Sequence, residues 1–388
     1  MAALTLEAAF WCSLAAIVWT YAGYPALLML LAKFTPDPDR GVEIEPSVTV
    51  IITAYNEERT LATKLEDTLQ LDYPKDRLQV LVASDCSDDD TDAIAHSFEE
   101  RGVELLALPE RGGKTAAQNT AVRQAQGDIL VFTDASTKFH AQTIHRLVAA
   151  FSDERVGCAG AELDYVSLEG TQVGQGAGAY WRYEKYVKSL ESRVHSLIGV
   201  SGCLYAVRRS AYSEIAPDMI SDLVIASEVY TKGYRTIYAP EAVAYETTHE
   251  STGREFAMRV RIAVRSINGL LRYWKLLNPF QYGLFSVQLF SHKVLRYLVP
   301  ELLLILMILN PVLAFGDVTE RARFYQWLLW PHGLIYVMAI AGWLSQSIGI
   351  RVPGLHIPFY FLQVNLAAFW AFVLFLFGER KTIWTPVR

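Results

Sequence analysis

Cysteine is scarce in this chain. The four thiols, Cys12, Cys86, Cys158 and Cys203, form no Cys-x-x-Cys pair and no His/Cys spacing. That excludes a disulfide framework and a cysteine metal site, and it predicts reduced thiols in a cytoplasmic domain. A basic excess is missing too: 41 Asp and Glu outweigh 35 Lys and Arg, for a net charge of −6. General nucleic-acid binding is disfavoured. No Gly-x-Gly-x-x-Gly follows the first apolar run, which argues against a dinucleotide-binding oxidoreductase. Arg111-Gly112-Gly113-Lys114 lacks the spacing and the Ser/Thr of a phosphate loop.

Apolar residues are abundant, at 52% of 388 positions, and unevenly spread. Residues 45–255 have the composition of an ordinary charged domain. The excess lies in Ala8–Leu31 and from Leu298 onward. Ala8–Leu31 carries no charge and is long enough for a hydrocarbon core of about 30 Å. Trp11, Trp19, Tyr21 and Tyr24 suit its interfaces. A cleaved signal peptide fits less well, because no basic segment precedes the run and no clean cleavage site follows it. Glu7 before the run and Lys33 and Arg40 after it put the next domain in the cytoplasm. Leu298–Phe315, Phe324–Ser345 and Ile357–Phe377 read as further spans. Four spans would strand the basic tail Arg380–Arg388 on the far side, unless one segment is re-entrant or Tyr282–Phe315 holds another span. Glu301, inside a span, is a functional candidate that could line a polymer path. Glu255–Leu277 is basic and amphipathic, with Arg259, Arg261, Arg265 and Arg272, and reads as an interfacial helix, a helix packed on the globular domain, or both. Gln281–Tyr297 reads as a second one.

Three short runs organise the middle of the chain. Val48–Ile52 breaks into Thr53-Ala54-Tyr55-Asn56-Glu57-Glu58, Leu78–Val82 into Ala83-Ser84-Asp85, and Ile129–Phe132 into Thr133-Asp134-Ala135-Ser136. Continuous apolar runs between helical patterns read as parallel strands buried on both faces. Such sheets bind ligands at the carboxyl ends of their strands, so Glu57, Asp85 and Asp134 are expected in one site. Asp88–Asp90 read as a capping loop. Gly112-Gly113 lets backbone approach a ligand, and Lys114 opens a helix where anions bind. Asp134, with an oxygen donor two residues on at Ser136, can hold a hard divalent cation. The aromatics of Tyr180–Tyr186 read as core, and Gly199–Tyr205 as a tight loop feeding a strand. Asp222 opens a helix ending at Gly233; it can be that helix's cap, a catalytic base, or both.

In order, Thr53–Glu58, Asp85, Gly113-Lys114 with Asn119, Asp134-Ala135-Ser136, Ser201-Gly202, and Asp222 with Gly233-Tyr234-Arg235 resemble the inverting, processive-type glycosyltransferases of the cellulose, chitin and hyaluronan synthase group. The resemblance covers about Val48 to Arg265. It implies an α/β GT-A (Rossmann-like) domain at 41–254, behind an N-terminal span at 1–40, followed by interfacial helices at 255–297 and spans with a basic tail at 298–388. It also implies roles. Thr53, Tyr55, Glu57, Asp85, Lys114, Asp134 and Arg261 would bind a UDP-sugar, with Asp85 on the uracil base. Ser201 and Gly202 would meet the acceptor, Asp222 would be the general base, and Asp134 would bind Mg or Mn. Three departures stand out. Ser136 replaces the usual second metal acid, which leaves His249 as a possible further ligand. Ser221 replaces the first acid of the Glu-Asp pair. Arg261 is followed by Ile262, where the synthases' motif ends in Trp. The implied activity is sugar transfer to a growing glycan at the inner membrane, with a possible export partner subunit. The alternative is single-sugar transfer to a polyprenyl phosphate or other lipid acceptor. A catalytically silent membrane scaffold or nucleotide sensor on the same fold is the competing non-enzymatic reading.

Overall fold

The apolar runs form the centre of an eight-stranded mixed sheet. The computed structural model describes residues 2–36, 41–166, 172–247, 252–316, 320–348, 350 and 352–379. The strands are β1 (Val48–Ala54), β2 (Leu78–Ser84), β3 (Val103–Ala107), β4 (Ile129–Asp134), β5 (Lys138–Phe139), β6 (Val156–Val166), β7 (Leu204–Arg208) and β8 (Arg235–Thr247), in the order β3-β2-β1-β4-β7-β6-β8-β5. β3, β2, β1 and β4 are parallel neighbours, as the buried runs predict. β7 pairs antiparallel to β4 and β6 antiparallel to β7, while β6 and β8 run parallel.

Every residue of β1 is buried. Its alternate side chains feed two cores: Val50 and Ile52 pack with Val80 and Val82 on one face, and Ile51 with Leu81, Leu130 and Phe132 on the other. Each such burial stabilises by about 1.5–3 kcal/mol, and a strand sandwiched this way tolerates no register slip. Register sets Thr53 beside Asp134 and Ala54 beside Ser84, so the polar clusters emerge together at one end of the sheet. At the opposite end, Gly127 lies against β1. A Cβ there would stand 2.4 Å from the Thr49 nitrogen, so no side chain fits.

Among the described residues, four helical rods are long and apolar enough to cross a membrane: Leu4–Ala32, Leu284–Phe315, Arg321–Ser347 and His356–Leu376. Residues 284–315 form one rod through a π-helical turn at Phe290–Val294, so the interfacial stretch and the span read from the sequence share one helix. Three kinds of contact tie the rods to one another and to the helices beside the sheet. Tyr24, Leu28 and Ala32 pack on Val187 and Leu190 of the helix Gln172–Val194. Trp19 donates through its ring nitrogen to the Ser291 hydroxyl (3.0 Å). The amphipathic helix Thr252–Arg272 sets Val260, Ala263 and Val264 against Ala367 and Ala371 of the last rod. Its apolar face is thus met by protein. The tail Arg380–Arg388 lies outside the described residues.

Candidate active site

Asp85 is buried at the end of β2, and both its oxygens are engaged. Oδ1 accepts from the Gly112 amide and Oδ2 from the Gly113 amide, each at 2.8 Å. Gly113 has φ +84°, a left-handed conformation that favours glycine, so the chain turns sharply and starts the helix Lys114–Gln124 at once. Burial raises the Asp85 carboxyl above its ordinary range against the pull of those two amides. Beside it the Arg111 guanidinium stacks on the Tyr55 ring, 3.6 Å from its centroid.

The turn aims Lys114 across the sheet end. Its ammonium pairs with the Asp134 carboxylate and donates to the Gly202 carbonyl (2.9 Å). Thr53 donates to the same Asp134 carboxylate at 3.5 Å. Gly202 lies directly on Asp222: a Cβ on Gly202 would stand 2.7 Å from Asp222 Oδ2. Asp85, Lys114, Asp134, Gly202 and Asp222 therefore form one continuous chain of contacts. Burial raises the Asp222 carboxyl, while Lys114, Lys293, Lys188 and Arg265 pull it back down. Arg261, on the amphipathic helix, lies within electrostatic reach of Asp134 and Arg265. Burial and Arg265 lower its guanidinium to about 10, and Asp134 opposes them.

Other expected residues turn elsewhere. The Glu57 carboxylate accepts from the Thr60 hydroxyl (2.6 Å), one turn along its own segment. The Ser201 hydroxyl is buried beside the Cys203 sulfur (3.3 Å). Of the acidic loop, Asp89 does the capping, accepting from the Thr91 amide at 3.0 Å and from the Glu58 amide at 3.2 Å. His249 lies outside the described residues.

Several residues given no role from the sequence, Asn119 and Arg265 among them, support the same groups. Glu246, near the end of β8, stands opposite Asp134-Ala135-Ser136: Ser136 Oγ lies 3.4 Å from each of its oxygens, and the Thr137 hydroxyl also donates to it. Its carboxyl is raised by burial, and Asp134 adds to the rise. Beneath the pair, buried Lys64 donates to the Thr133 hydroxyl (3.0 Å) and the Thr137 carbonyl (2.6 Å). Burial lowers its ammonium to about 7. Thr115, Asn119 and Arg265 hold the segment leading to Asp222. Asn119 donates to the Ile215 carbonyl (2.7 Å), Thr115 to that of Met219 (3.1 Å), and Arg265 to those of Pro217 (3.0 Å) and Met219 (2.5 Å). Glu246 sits 110 residues from Ser136, and only strand pairing brings them together. Asn119 already stands in the motif that carries the resemblance, and Thr115 lies four residues before it on the same helix face.

Two carboxylates and a hydroxyl, all hard oxygen donors, fit Mg or Mn better than a soft metal. The Lys114 ammonium on Asp134 shows the carboxylate's demand for positive charge. A shallow depression lined by Pro46, Asp128, Phe151 and Arg208 lies at the other end of the sheet and shares none of these groups.

Residues 49–216 match the profile of glycosyl transferase family 2. An N-acetylglucosaminyltransferase of Mesorhizobium japonicum is 30% identical over 260 residues, 62% of this chain and 61% of that protein. A poly-beta-1,6-N-acetyl-D-glucosamine synthase of Staphylococcus aureus is 24% identical over 256 residues, 61% of this chain and 58% of its own length. The chain thus aligns with little more than half the length of these relatives. Among solved structures, the mannosyltransferase PcManGT from Pyrobaculum calidifontis, in complex with GDP-Man and Mn2+, superposes with a TM-score of 0.68 at 23% identity, covering 96% of this chain and 99% of that one. The shared fold includes the helical rods as well as the sheet. The fold is a GT-A-like mixed α/β domain, and the stretch similar to glycosyl transferase family 2 lies within it.

Proposed function

We propose that the chain is an inverting, membrane-held glycosyltransferase that moves a sugar from a UDP-sugar to a glycan acceptor. The observation that carries this reading is the link Asp134–Lys114–Gly202–Asp222, which brings diphosphate-binding groups and a buried base to one place. The nucleotide would lie at the ends of β1 and β2, with the Asp85-held glycine turn under it and Tyr55 and Arg111 at its base. Lys114 and Arg261 would neutralise the diphosphate. Asp134 and Glu246, with Ser136, would hold Mg or Mn. That ion would supply charge neutralisation of the leaving group.

Asp222 would take the proton from an acceptor hydroxyl. The hydroxyl oxygen bonds to the anomeric carbon, the bond from that carbon to the diphosphate oxygen breaks, and the electron pair leaves with UDP. Attack opposite the leaving group inverts the anomeric centre. Positioning and a well-placed base suffice for this step. The N-acetylglucosaminyltransferase and poly-N-acetylglucosamine synthase relatives support N-acetylglucosamine as the first sugar to test. The four rods support a multi-pass place in the inner membrane with the sheet domain in the cytoplasm. Ile262, where the synthases carry Trp, favours single-sugar addition as the second reading.

A screen of UDP-sugars with membranes containing the protein tests the proposal, with Mg or Mn and sizing of the product. Donor-specific release of UDP with an extended acceptor is expected. Release from no donor would overturn it, and an acceptor one sugar longer would select the second reading.

A further inference from the structure

Lys64 is buried beneath the candidate metal site, where a lysine is costly. It stands in the helix Leu61–Leu69 with 3% of its surface exposed. An ammonium has three protons to place. One goes to the Thr133 hydroxyl at 3.0 Å and one to the Thr137 carbonyl at 2.6 Å. The nitrogen also lies 3.7 Å from the centroid of the Phe139 ring, whose face attracts a cation. Each of these partners is neutral. Burying a charge among neutral groups is unfavourable, and an apolar side chain of similar length would avoid the penalty.

The position of the two oxygens gives the charge a use. They flank the turn Asp134–Thr137, which closes where the Thr137 amide donates to the Asp134 carbonyl at 3.2 Å. Thr133 precedes that turn and Thr137 ends it, so Lys64 ties both ends from beneath. Thr137 is gripped twice: its carbonyl accepts from Lys64, and its hydroxyl donates to Glu246. Ser136, inside the turn, meets the same Glu246 carboxylate at 3.4 Å. One buried ammonium therefore braces the backbone that carries Asp134 and Ser136 and the threonine that binds Glu246. Burial and the like charge of Asp134 raise the Glu246 carboxyl, and the Thr137 hydroxyl, Lys114 and Lys64 oppose the rise.

We propose that Lys64 is a positioning residue for the divalent cation: through Thr133 and Thr137 it holds Asp134, Ser136 and Glu246 together as one ligand set. The inference rests on the reading of those three groups as the ion's ligands.

The test measures Mn binding to the purified full chain in detergent, with and without UDP, reading free Mn by its electron paramagnetic resonance signal. Lys64→Met keeps the stem and removes the ammonium. It should raise the Mn dissociation constant at least about tenfold, as the loss of a partner behind a metal ligand does. Thr133→Val removes one acceptor of the ammonium and should give a smaller loss in the same direction. Leu65→Ala hollows the core at the next residue of the same helix. It should lower the melting temperature and leave the Mn constant unchanged. Unchanged or tighter Mn binding in Lys64→Met would overturn the proposal. So would an equal loss in Leu65→Ala, which would make Lys64 a support of the fold alone. Should Lys64→Met fail to fold, Thr133→Val against Leu65→Ala decides by the same criteria. Absence of Mn binding by the unaltered chain would overturn the metal reading itself, and this proposal with it.

Discussion

The hydroxyl of Ser136 faces the carboxylate of Glu246 at 3.4 Å from each oxygen, across the turn that follows β4. Glu246 therefore supplies, from a distant strand, an acid beside Ser136, where the resemblance read from the sequence leads one to expect a second Asp. Glu246→Gln should raise the half-saturating Mn concentration at least about tenfold, since even groups behind a ligand cost 10–100-fold in metal affinity. Adding Ser136→Asp should recover part of that loss. Activity measured across a Mn titration checks both. An unchanged Mn dependence in Glu246→Gln would remove Glu246 from the metal site.

Asp222 should set the acid limb of the pH profile. Burial raises its carboxyl, and the lysines and Arg265 oppose the rise without cancelling it. Protonated, it cannot accept the hydroxyl proton. The rate should therefore fall as pH falls through a value above the free carboxylate pKa of about 3.9. Asp222→Asn should lower turnover by about 10²–10⁴-fold and flatten that limb, with UDP binding retained. The kcat/KM profile of both proteins decides the matter.

Gly202 leaves no room for a side chain against Asp222, since a Cβ would come to 2.7 Å from its Oδ2. Gly202→Ala should displace that carboxylate and cut kcat, because small misplacements cost heavily in catalysis. The nucleotide Kd should change little. Steady-state kinetics with a parallel binding titration would show the split, and equal losses in both would contradict it.

Asp85 should act through the glycine turn. Asp85→Ala removes the acceptor of two backbone amides, each worth about 1.5–3 kcal/mol as a bond to a charged group. UDP affinity should fall by more than about tenfold. Asp85→Asn keeps one acceptor oxygen and should lie between the two. Calorimetric titration of UDP orders the three proteins.

Much of this was legible in the sequence, for physical reasons. Three continuous apolar runs can only be buried strands, and strands of one parallel sheet deliver their carboxyl ends together. That put Asp85 and Asp134 at the same end of the sheet, and the helix opening at Lys114 brought a cation to Asp134. Other parts depended on tertiary contacts with no local pattern. Glu246 reads as an ordinary strand residue until β8 passes the β4 turn. Lys64 reads as an exposed helix lysine, yet it is buried under Thr133 and Thr137. Arg265 reads as one more base on an interfacial helix, but its guanidinium reaches carbonyls of the segment before Asp222. Helical periodicity set Gln281–Tyr297 apart from the next span, whereas a π-helical turn joins them in one rod.

The most direct test of the central claim is a structure of the full chain with UDP and Mn. The account predicts the uracil end at Asp85 and Tyr55, the diphosphate between Asp134 and Arg261, and Asp222 open to the acceptor side. Nucleotide bound at the opposite end of the sheet, around Asp128 and Arg208, with Asp134 and Asp222 untouched, would contradict it.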